Sequence, residues 1–436
     1  MSNTVKYIAK SFIWVVLSKF LDAILKFITL PILLIYFGKD NYGLITLALS
    51  VNAYLQLLDM GINTGAVKYF SEWLQVGKKE LVDSVARTSL TFYGIIGLVN
   101  TILLLLLVFF GVSIFSITPE QADTFKTLLL ILAGFSIFNW STSVFNQLLI
   151  ASESIYFVQQ VNIYKSVLSF ILVLITTYFE LSVITYFLLH IVVNTVVIIP
   201  FYIKVSNMAL IKSFIPLYEW KAFSVIFKYS LAIIAIGVFQ MSAAKLRPLV
   251  LGVYIDNGVA AVADYRIIET ITLFIISIGG MFSSIFLPKT SKLLVEGNKL
   301  KIEKFAYEST LYTSIVCVVL CFPFILCGSE ILSMYVGDDY LYLNKWLILW
   351  VFTILGYLHS TPVNSIVLAT GKTRILIYST AFSCIVSVLV NIYLVDYLGI
   401  GSAVVGYAVY IFIQMMFYYT YFNSKVLGLN SFRIFS

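Results

Sequence analysis

Three charged side chains stand in the middle of the first long apolar stretch of the sequence. Lys19, Asp22 and Lys26 lie in "SKFLDAILKF", residues 18–27, which otherwise has the composition of a membrane helix. At about 100° per residue they point into one stripe roughly 60° wide, with the two lysines about 10 Å apart along the axis. Asp22 can pair with either lysine but cannot neutralise both. The stripe therefore keeps a surplus positive charge, which suits an anionic ligand.

Other apolar stretches also contain ionisable side chains. They are Lys165, Lys245, Arg247, Asp59, Glu269, His190 and His359. Each cation near a helix centre opposes membrane insertion by about 2.5–3.5 kcal/mol. Charged residues persist at such depths where they face a bundle interior or water. We therefore expect these side chains to face the interior of the molecule.

The basic residues of the later stretches also have a structural interpretation. Lys245 and Arg247 precede Pro248 and could extend to the lipid headgroups. Their side chains point about 160° apart on a helix, so we expect one of the two to face the interior. Lys165 could extend to the inner surface past one helical turn.

The acids and histidines have structural alternatives too. Asp59, in "LLDMGIN", could cap the following helix. Glu269 could pair with Arg266 three residues earlier. His190 and His359 could be hydrogen-bonded core histidines rather than proton carriers.

Composition places the chain in a membrane. It is 61% hydrophobic and 11% charged over 436 residues, whereas soluble domains carry about 25% charged residues. A membrane-spanning helix needs about 20 mostly apolar residues. Twelve stretches qualify, at 12–36, 42–60, 88–112, 126–150, 156–178, 181–203, 229–255, 265–287, 305–328, 345–369, 374–395 and 401–423. The predicted fold class is an all-α polytopic membrane protein.

Basic residues set the orientation of these spans. Most of the 28 lysines and arginines fall in loops on the side of the N-terminus, so both termini are predicted in the cytoplasm. These loops also explain the formal charge of +7, and no nucleic-acid partner is expected.

The two halves of the sequence resemble each other. "STSVFNQLLIASES" at 141–154 and "STPVNSIVLATGKT" at 360–373 occupy equivalent places in the fourth and tenth spans. Each copy comprises six spans, which is an even number. Both copies therefore enter the membrane in the same direction, as in transporters with parallel repeats. We predict an N-terminal lobe at 1–203, a cytoplasmic linker at 204–228 and a C-terminal lobe at 229–436, with six helices in each lobe around a central cavity.

Enzyme and metal-site patterns are missing from the sequence. It contains no HExxH, GxSxG or dinucleotide-binding fingerprint. The four cysteines lie in or beside apolar segments, without a histidine at zinc-binding spacing. We expect a protein that is not an enzyme and holds no cofactor and no metal.

Residues 30–73, "LPILLIYFGKDNYGLITLALSVNAYLQLLDMGINTGAVKYFSEW", resemble the N-terminal signature of the polysaccharide transporter family. That family includes the O-antigen (Wzx-like) flippases of the multidrug/oligosaccharidyl-lipid/polysaccharide exporter superfamily. The matching features are Pro31, Gly38, "NYG" at 41–43 and "LDMG" at 58–61. "YLGIGSAVVGYAV" at 397–409 is similar to the family's outer turn before the last span.

The resemblance implies a flippase of the bacterial cytoplasmic (inner) membrane. Its cargo would be an oligosaccharide linked to undecaprenyl pyrophosphate, of O-antigen, lipopolysaccharide or capsule type. Its partners would be membrane lipids, a coupling ion (sodium or proton), and the glycan polymerase and chain-length machinery. Carried over from the family, the substrate-binding positions would be Lys19, Lys26 and Lys245 or Arg247, and Asp59 and Glu269 resemble charged positions of the family's lumen. Their place within apolar spans adds Lys165 as a candidate substrate-binding residue, and Asp22, His190 and His359 as candidate coupling or supporting groups. The alternatives are a cation-coupled multidrug antiporter of the same superfamily and a membrane-embedded glycan polymerase.

Overall fold

A computed structural model describes residues 3–56, 60–280, 299–369 and 373–427, and every regular element within these ranges is helical. This agrees with the predicted all-α class. A bilayer offers no water to backbone amides, so a segment that crosses it must satisfy its own hydrogen bonds, and an α-helix does so.

The chain divides into two compact units, Met1–Val238 and Phe239–Ser436. The helices of the first unit are α1 Asn3–Leu55, α2 Met60–Gln75, α3 Lys79–Ile114, α4 Pro119–Ala151, α5 Ile155–Tyr178, α6 Val183–Val196 and α7 Ile198–Asn207. Helix α8, Trp220–Tyr254, begins in the first unit and ends in the second.

The second unit continues with α9 to α14. These helices are α9 Gly258–Gly280, α10 Lys299–Leu326, α11 Gly328–Val336, α12 Asn344–Ala369, α13 Thr373–Leu398 and α14 Gly401–Phe417. A 3-10 helix, Asp338–Leu343, precedes α12, and a π-helix, Tyr418–Leu427, follows α14.

Nine helical stretches among the described residues are long and apolar enough to cross a membrane. The first, Ser11–Leu55, contains the predicted span 12–36 and most of the predicted span 42–60, with a kink at Gly38 between them. Gly38 has φ 76°, a conformation that costs glycine little because it has no Cβ. The predicted span 265–287 begins in α9 and continues beyond the described residues. The count of twelve spans stays a prediction.

The segment between α7 and α8 is hydrogen-bonded to the start of α3. Asp83 accepts a hydrogen bond from the backbone N–H of Lys212 at 2.6 Å, and Arg87 donates one from Nε to the carbonyl of Ile215 at 2.8 Å. These bonds join the predicted linker, 204–228, to the first unit, and the predicted lobe boundaries stay a prediction.

Helices α3 and α4 pack closely, and this contact fixes one face of α4. Tyr93 stacks on Trp140 with ring centroids 6.0 Å apart. Gln147 donates a hydrogen bond to the Tyr93 hydroxyl at 2.8 Å. All three side chains are buried. Because this face of α4 packs against α3, the polar side chains on another face of α4 can line a cavity of the first unit.

Candidate functional site

Asp22 links α1 to α5. Its carboxylate lies 2.7 Å from the Lys26 ammonium and accepts a hydrogen bond of 2.9 Å from the Ser166 hydroxyl. Of the two pairings available to Asp22, the structure therefore shows the one with Lys26. Lys19 is exposed on α1 and forms no ion pair among the described residues.

A second lysine and a histidine lie near this pair. Lys165 of α5 interacts electrostatically with Lys26 and Asp22, and His190 of α6 interacts with both lysines. We call Asp22, Lys26, Lys165 and His190 the N-terminal cluster. It contains two ammonium groups and one carboxylate, so its net charge is positive. The second ammonium is that of Lys165 on α5, whereas the surplus predicted for the first span came from Lys19 and Lys26.

Lys165 and His190 line a cavity of about 430 Å³ in the first unit. Most of the remaining wall consists of amide and hydroxyl side chains, supplied by Asn52, Gln56, Asn139, Thr142, Ser143, Asn146, Asn162 and Asn194. We call this space the amide cavity. Its wall offers donors and acceptors to a ligand rich in hydroxyl groups.

Helical spacing explains the amide cavity. On α4, Asn139, Thr142, Ser143 and Asn146 follow the i, i+3, i+4, i+7 pattern that places side chains on one face. His190 and Asn194 repeat the four-residue spacing on α6. Sequence reasoning based on charge missed the amides. A search for neutral polar residues at this spacing within apolar spans would have found them.

Several polar atoms of the cavity wall have partners and others do not. Asn139 accepts a hydrogen bond from the Thr195 hydroxyl at 3.0 Å, and Asn194 donates one to the carbonyl of His190 at 2.8 Å. The side-chain oxygen of Asn146 and Nδ1 of His190 are buried without a partner among the described residues. Unpartnered buried polar atoms cost free energy, so these two suit a polar ligand.

The second unit encloses Arg247 in an aromatic box. The guanidinium carbon lies 4.2 Å from the ring centroid of Tyr407, 5.2 Å from that of Trp350 and 5.9 Å from that of Tyr265. These rings come from α14, α12 and α9. Only 5% of Arg247 is exposed, which excludes the alternative that it extends to the surface. Sequence reasoning identified the arginine but not its aromatic neighbours.

Hydrogen bonding satisfies Arg247 in part. Its Nε donates to the carbonyl of Ala243 at 2.9 Å, whereas Nη1 is buried without a partner among the described residues. Glu269 pairs with Arg266 at 2.5 Å, as the structural alternative predicts, and also interacts electrostatically with Lys245 and Arg247. Lys245 itself is half-buried on α8. Arg247 therefore retains donor capacity for an oxyanion or a hydroxyl oxygen.

The remaining predicted positions lie apart from these two sites. His359 is on α12, 2.6 Å from the Ser314 hydroxyl of α10. Asp59 lies outside the described residues. Among the residues that the structure describes, no group of three His, Cys, Asp or Glu side chains could hold a metal ion.

Comparison with known proteins identifies a family and a fold. The family model described as polysaccharide biosynthesis protein matches residues 8–294. No curated protein matches the chain significantly.

Solved structures resemble the chain over almost its entire length. An inward-facing multidrug resistance MATE transporter of the MOP superfamily is 16% identical, with a TM-score of 0.73 over 93% of this chain and 95% of that one. The lipid II flippase MurJ, in an inward closed conformation, is 15% identical, with a TM-score of 0.75 over 93% of this chain and 86% of that one. A MOP superfamily transporter from Pyrococcus furiosus, whose binding pocket is said to have reverse polarity, is 15% identical, with a TM-score of 0.58 over 93% and 96%. These similarities establish the fold.

Proposed function

Because the chain belongs to the polysaccharide biosynthesis protein family and has the fold of MOP superfamily transporters, we propose that it is a flippase for a lipid-linked oligosaccharide. The cargo is an undecaprenyl-pyrophosphate-linked repeat unit of O-antigen or capsule type. It moves from the inner to the outer leaflet of the bacterial cytoplasmic membrane. The observation that carries this proposal is the net positive N-terminal cluster beside the amide cavity.

The charge of the cluster suits a pyrophosphate. Lys26 and Lys165 outnumber the single carboxylate of Asp22, so an added anion gains attraction instead of meeting repulsion. A lysine ammonium binds phosphate as a compact charge with three donors. Taking a pyrophosphate out of bulk water is costly, and the two ammonium groups offset that cost.

The amide cavity suits the glycan. Sugar hydroxyls both donate and accept hydrogen bonds, and an amide side chain offers one oxygen and one NH₂ group. The Asn146 oxygen, which has no partner among the described residues, is a ready acceptor. A wall of neutral amides binds hydroxyls of many arrangements, so it favours a glycan without selecting one sugar sequence.

Arg247 supplies a second positive position, in the C-terminal unit. Its faces are covered by Tyr407, Trp350 and Tyr265, so a ligand would meet the edge of the guanidinium, where the N–H groups point. Lys245 is the other candidate there, and Lys19 is an exposed position on α1. Alternating access of the two units would carry the cargo across the bilayer, with both termini in the cytoplasm.

Removal of the two lysines of the first span tests this function. We expect the double variant Lys19→Ala, Lys26→Ala to leave lipid-linked repeat units in the inner leaflet, because the anionic group loses its attraction. The measurement is the amount of lipid-linked oligosaccharide that an impermeant reagent can reach from the outer face. The matched control is Lys78→Ala, Lys79→Ala, which removes two exposed lysines at the start of α3 and should behave as the wild type.

Three results would contradict the proposal. Normal glycan export in the Lys19, Lys26 variant would show that these charges are not needed. Resistance to cationic drugs on overexpression, with no effect on glycan export, would favour the multidrug antiporter. Conversion of the lipid-linked glycan by the purified protein would favour a polymerase.

A further inference from the structure

We propose that Ser166 of α5 is a positioning residue for the N-terminal cluster. It holds the Asp22 carboxylate while Lys26 exchanges that carboxylate for the anionic group of the ligand. The identity of the ligand, a pyrophosphate, rests on the proposed function. Ser166 itself is uncharged and does not line the amide cavity, so neither the charge pattern nor the cavity identifies it.

The carboxylate of Asp22 has separate partners on its two oxygens. Oδ2 lies 2.7 Å from the ammonium of Lys26, one turn further along α1. Oδ1 accepts a hydrogen bond of 2.9 Å from the Ser166 hydroxyl, across the contact between α1 and α5. An ionised carboxylate can only accept hydrogen bonds, so the serine is the donor. Because the two contacts use different oxygens, one can break while the other remains.

The Ser166 hydroxyl is used differently from another hydroxyl of the same helix. A serine or threonine within a helix can donate to the backbone carbonyl four residues earlier. Thr176 of α5 does so, to the carbonyl of Leu172 at 2.8 Å. Ser166 instead donates to Asp22, and to no carbonyl of its own helix among the described residues. Its hydroxyl therefore serves the contact with α1.

The two partners of Asp22 differ in their exposure to solvent. Ser166 is 9% exposed, so water has little access to its hydrogen bond. The Lys26 side chain is 67% exposed, and solvent screens the ion pair that it forms. The hydrogen bond to Ser166 is therefore the lasting contact of Asp22, and the ion pair with Lys26 is the one that can be exchanged.

An exchange of partners allows Lys26 to bind an anion. A pyrophosphate that reaches the cluster competes with Asp22 for the Lys26 ammonium, and its charge repels the carboxylate. Ser166 keeps Asp22 beside α5, where Lys165 also interacts with the carboxylate electrostatically. Asp22 then neither follows Lys26 toward the ligand nor loses all its partners.

Binding of inorganic pyrophosphate to the purified protein, measured by isothermal titration calorimetry, tests this role without a transport assay. We expect Ser166→Ala to weaken binding about fivefold, because the unsupported carboxylate competes with pyrophosphate for Lys26. Ser166→Thr keeps a hydroxyl and should recover binding. Thr176→Val, the matched control on α5, removes a buried hydroxyl that donates to the backbone and should bind as the wild type.

A double-mutant cycle with Asp22→Asn separates positioning from packing. Because Ser166 acts through the carboxylate charge, Ser166→Ala should weaken pyrophosphate binding in the wild-type background and have no effect in the Asp22→Asn background. A loss that persists in Asp22→Asn would show that Ser166 acts through packing, and it would overturn the proposal. Unchanged binding in Ser166→Ala, or no binding of pyrophosphate by the wild type, would overturn it as well.

Transport of the whole cargo needs a separate readout. In proteoliposomes, Ser166→Ala should raise the apparent KM for a lipid-linked oligosaccharide about fivefold and leave kcat unchanged, since the variant alters binding and not movement. A fall in kcat with an unchanged KM would contradict the positioning role. A wild type that binds pyrophosphate but moves no lipid-linked oligosaccharide would instead contradict the flippase function, and the double-mutant cycle would still decide the role of Ser166.

Discussion

The two units surround their cations in opposite ways. In the first unit, Lys26 is 67% exposed and pairs with Asp22, which is itself 36% exposed, and Lys165 lines a cavity with amide walls. In the second unit, Arg247 is 5% exposed and lies among three aromatic rings. One cation environment is polar and accessible, whereas the other is aromatic and enclosed.

This difference changes how much each cation contributes to the stability of the fold. An accessible lysine in a polar surrounding contributes little to folding, because solvent screens its ion pair. It remains available to a ligand. A guanidinium desolvated among aromatic faces contributes to folding through cation–π attraction and packing. The surroundings of each cation thus decide how much it contributes to folding, and Arg247 in addition keeps, for a ligand, an Nη1 without a partner among the described residues.

The largest expected effect is on Arg247. We expect Arg247→Ala to lower the free energy of unfolding by at least about 2 kcal/mol, because the three rings lose their cation and a cavity remains. Arg247→Lys should recover part of the loss, since the charge stays but the planar group does not. Thermal unfolding of the purified protein measures both. An unchanged thermal unfolding midpoint for Arg247→Ala would contradict the prediction that Arg247 stabilises the second unit.

The contrast also shows what the sequence could and could not predict. The spans follow from long apolar runs, and a break between the first two is predicted at 37–41, where the structure has a kink at Gly38. The surplus charge of the first span followed from the spacing of Lys19, Asp22 and Lys26. These features involve residues close together in sequence, where helical periodicity predicts from the residue spacing on which face of the helix a side chain lies.

The aromatic box could not be predicted, because its members are far apart in sequence. Tyr265, Trp350 and Tyr407 lie on three helices and meet Arg247 only through tertiary packing. The amide cavity could be predicted in part. The spacing of its polar residues on α4 is visible in the sequence, but the fact that residues of α1, α5 and α6 complete the same wall is not. A charged residue within an apolar span indicates a candidate site, whereas a single asparagine there does not.

A smaller effect is expected for Lys165, and it should appear in transport rather than in stability. Lys165→Met removes one ammonium from the wall of the amide cavity while keeping a chain of similar length. Loss of one charge-assisted contact of about 1.4 kcal/mol corresponds to a tenfold slower flip rate. The unfolding midpoint should not fall, because a partly desolvated cation is replaced by an apolar side chain.

Lys165→Arg is the control for that experiment, since it keeps the charge. Flip rates in proteoliposomes and thermal unfolding should be measured on the same preparations. If Lys165→Met unfolds earlier and transports at the wild-type rate, then the lysine is a structural residue and the comparison between the units fails.

The smallest expected effect belongs to Asn146, and it separates recognition of sugar from recognition of charge. The side-chain oxygen of Asn146 is buried without a partner among the described residues, so a sugar hydroxyl would give it one. Asn146→Leu removes this acceptor, and the loss of one hydrogen bond of about 1 kcal/mol should raise the apparent KM about fivefold. The variant should transport a lipid pyrophosphate without sugars at the wild-type rate, because the lysines are unchanged. Asn41→Leu, near the Gly38 kink and with its amide bonded to the carbonyl of Phe37, should alter neither cargo. Equal losses for both cargoes in Asn146→Leu would mean that the amide cavity does not distinguish the glycan from its carrier.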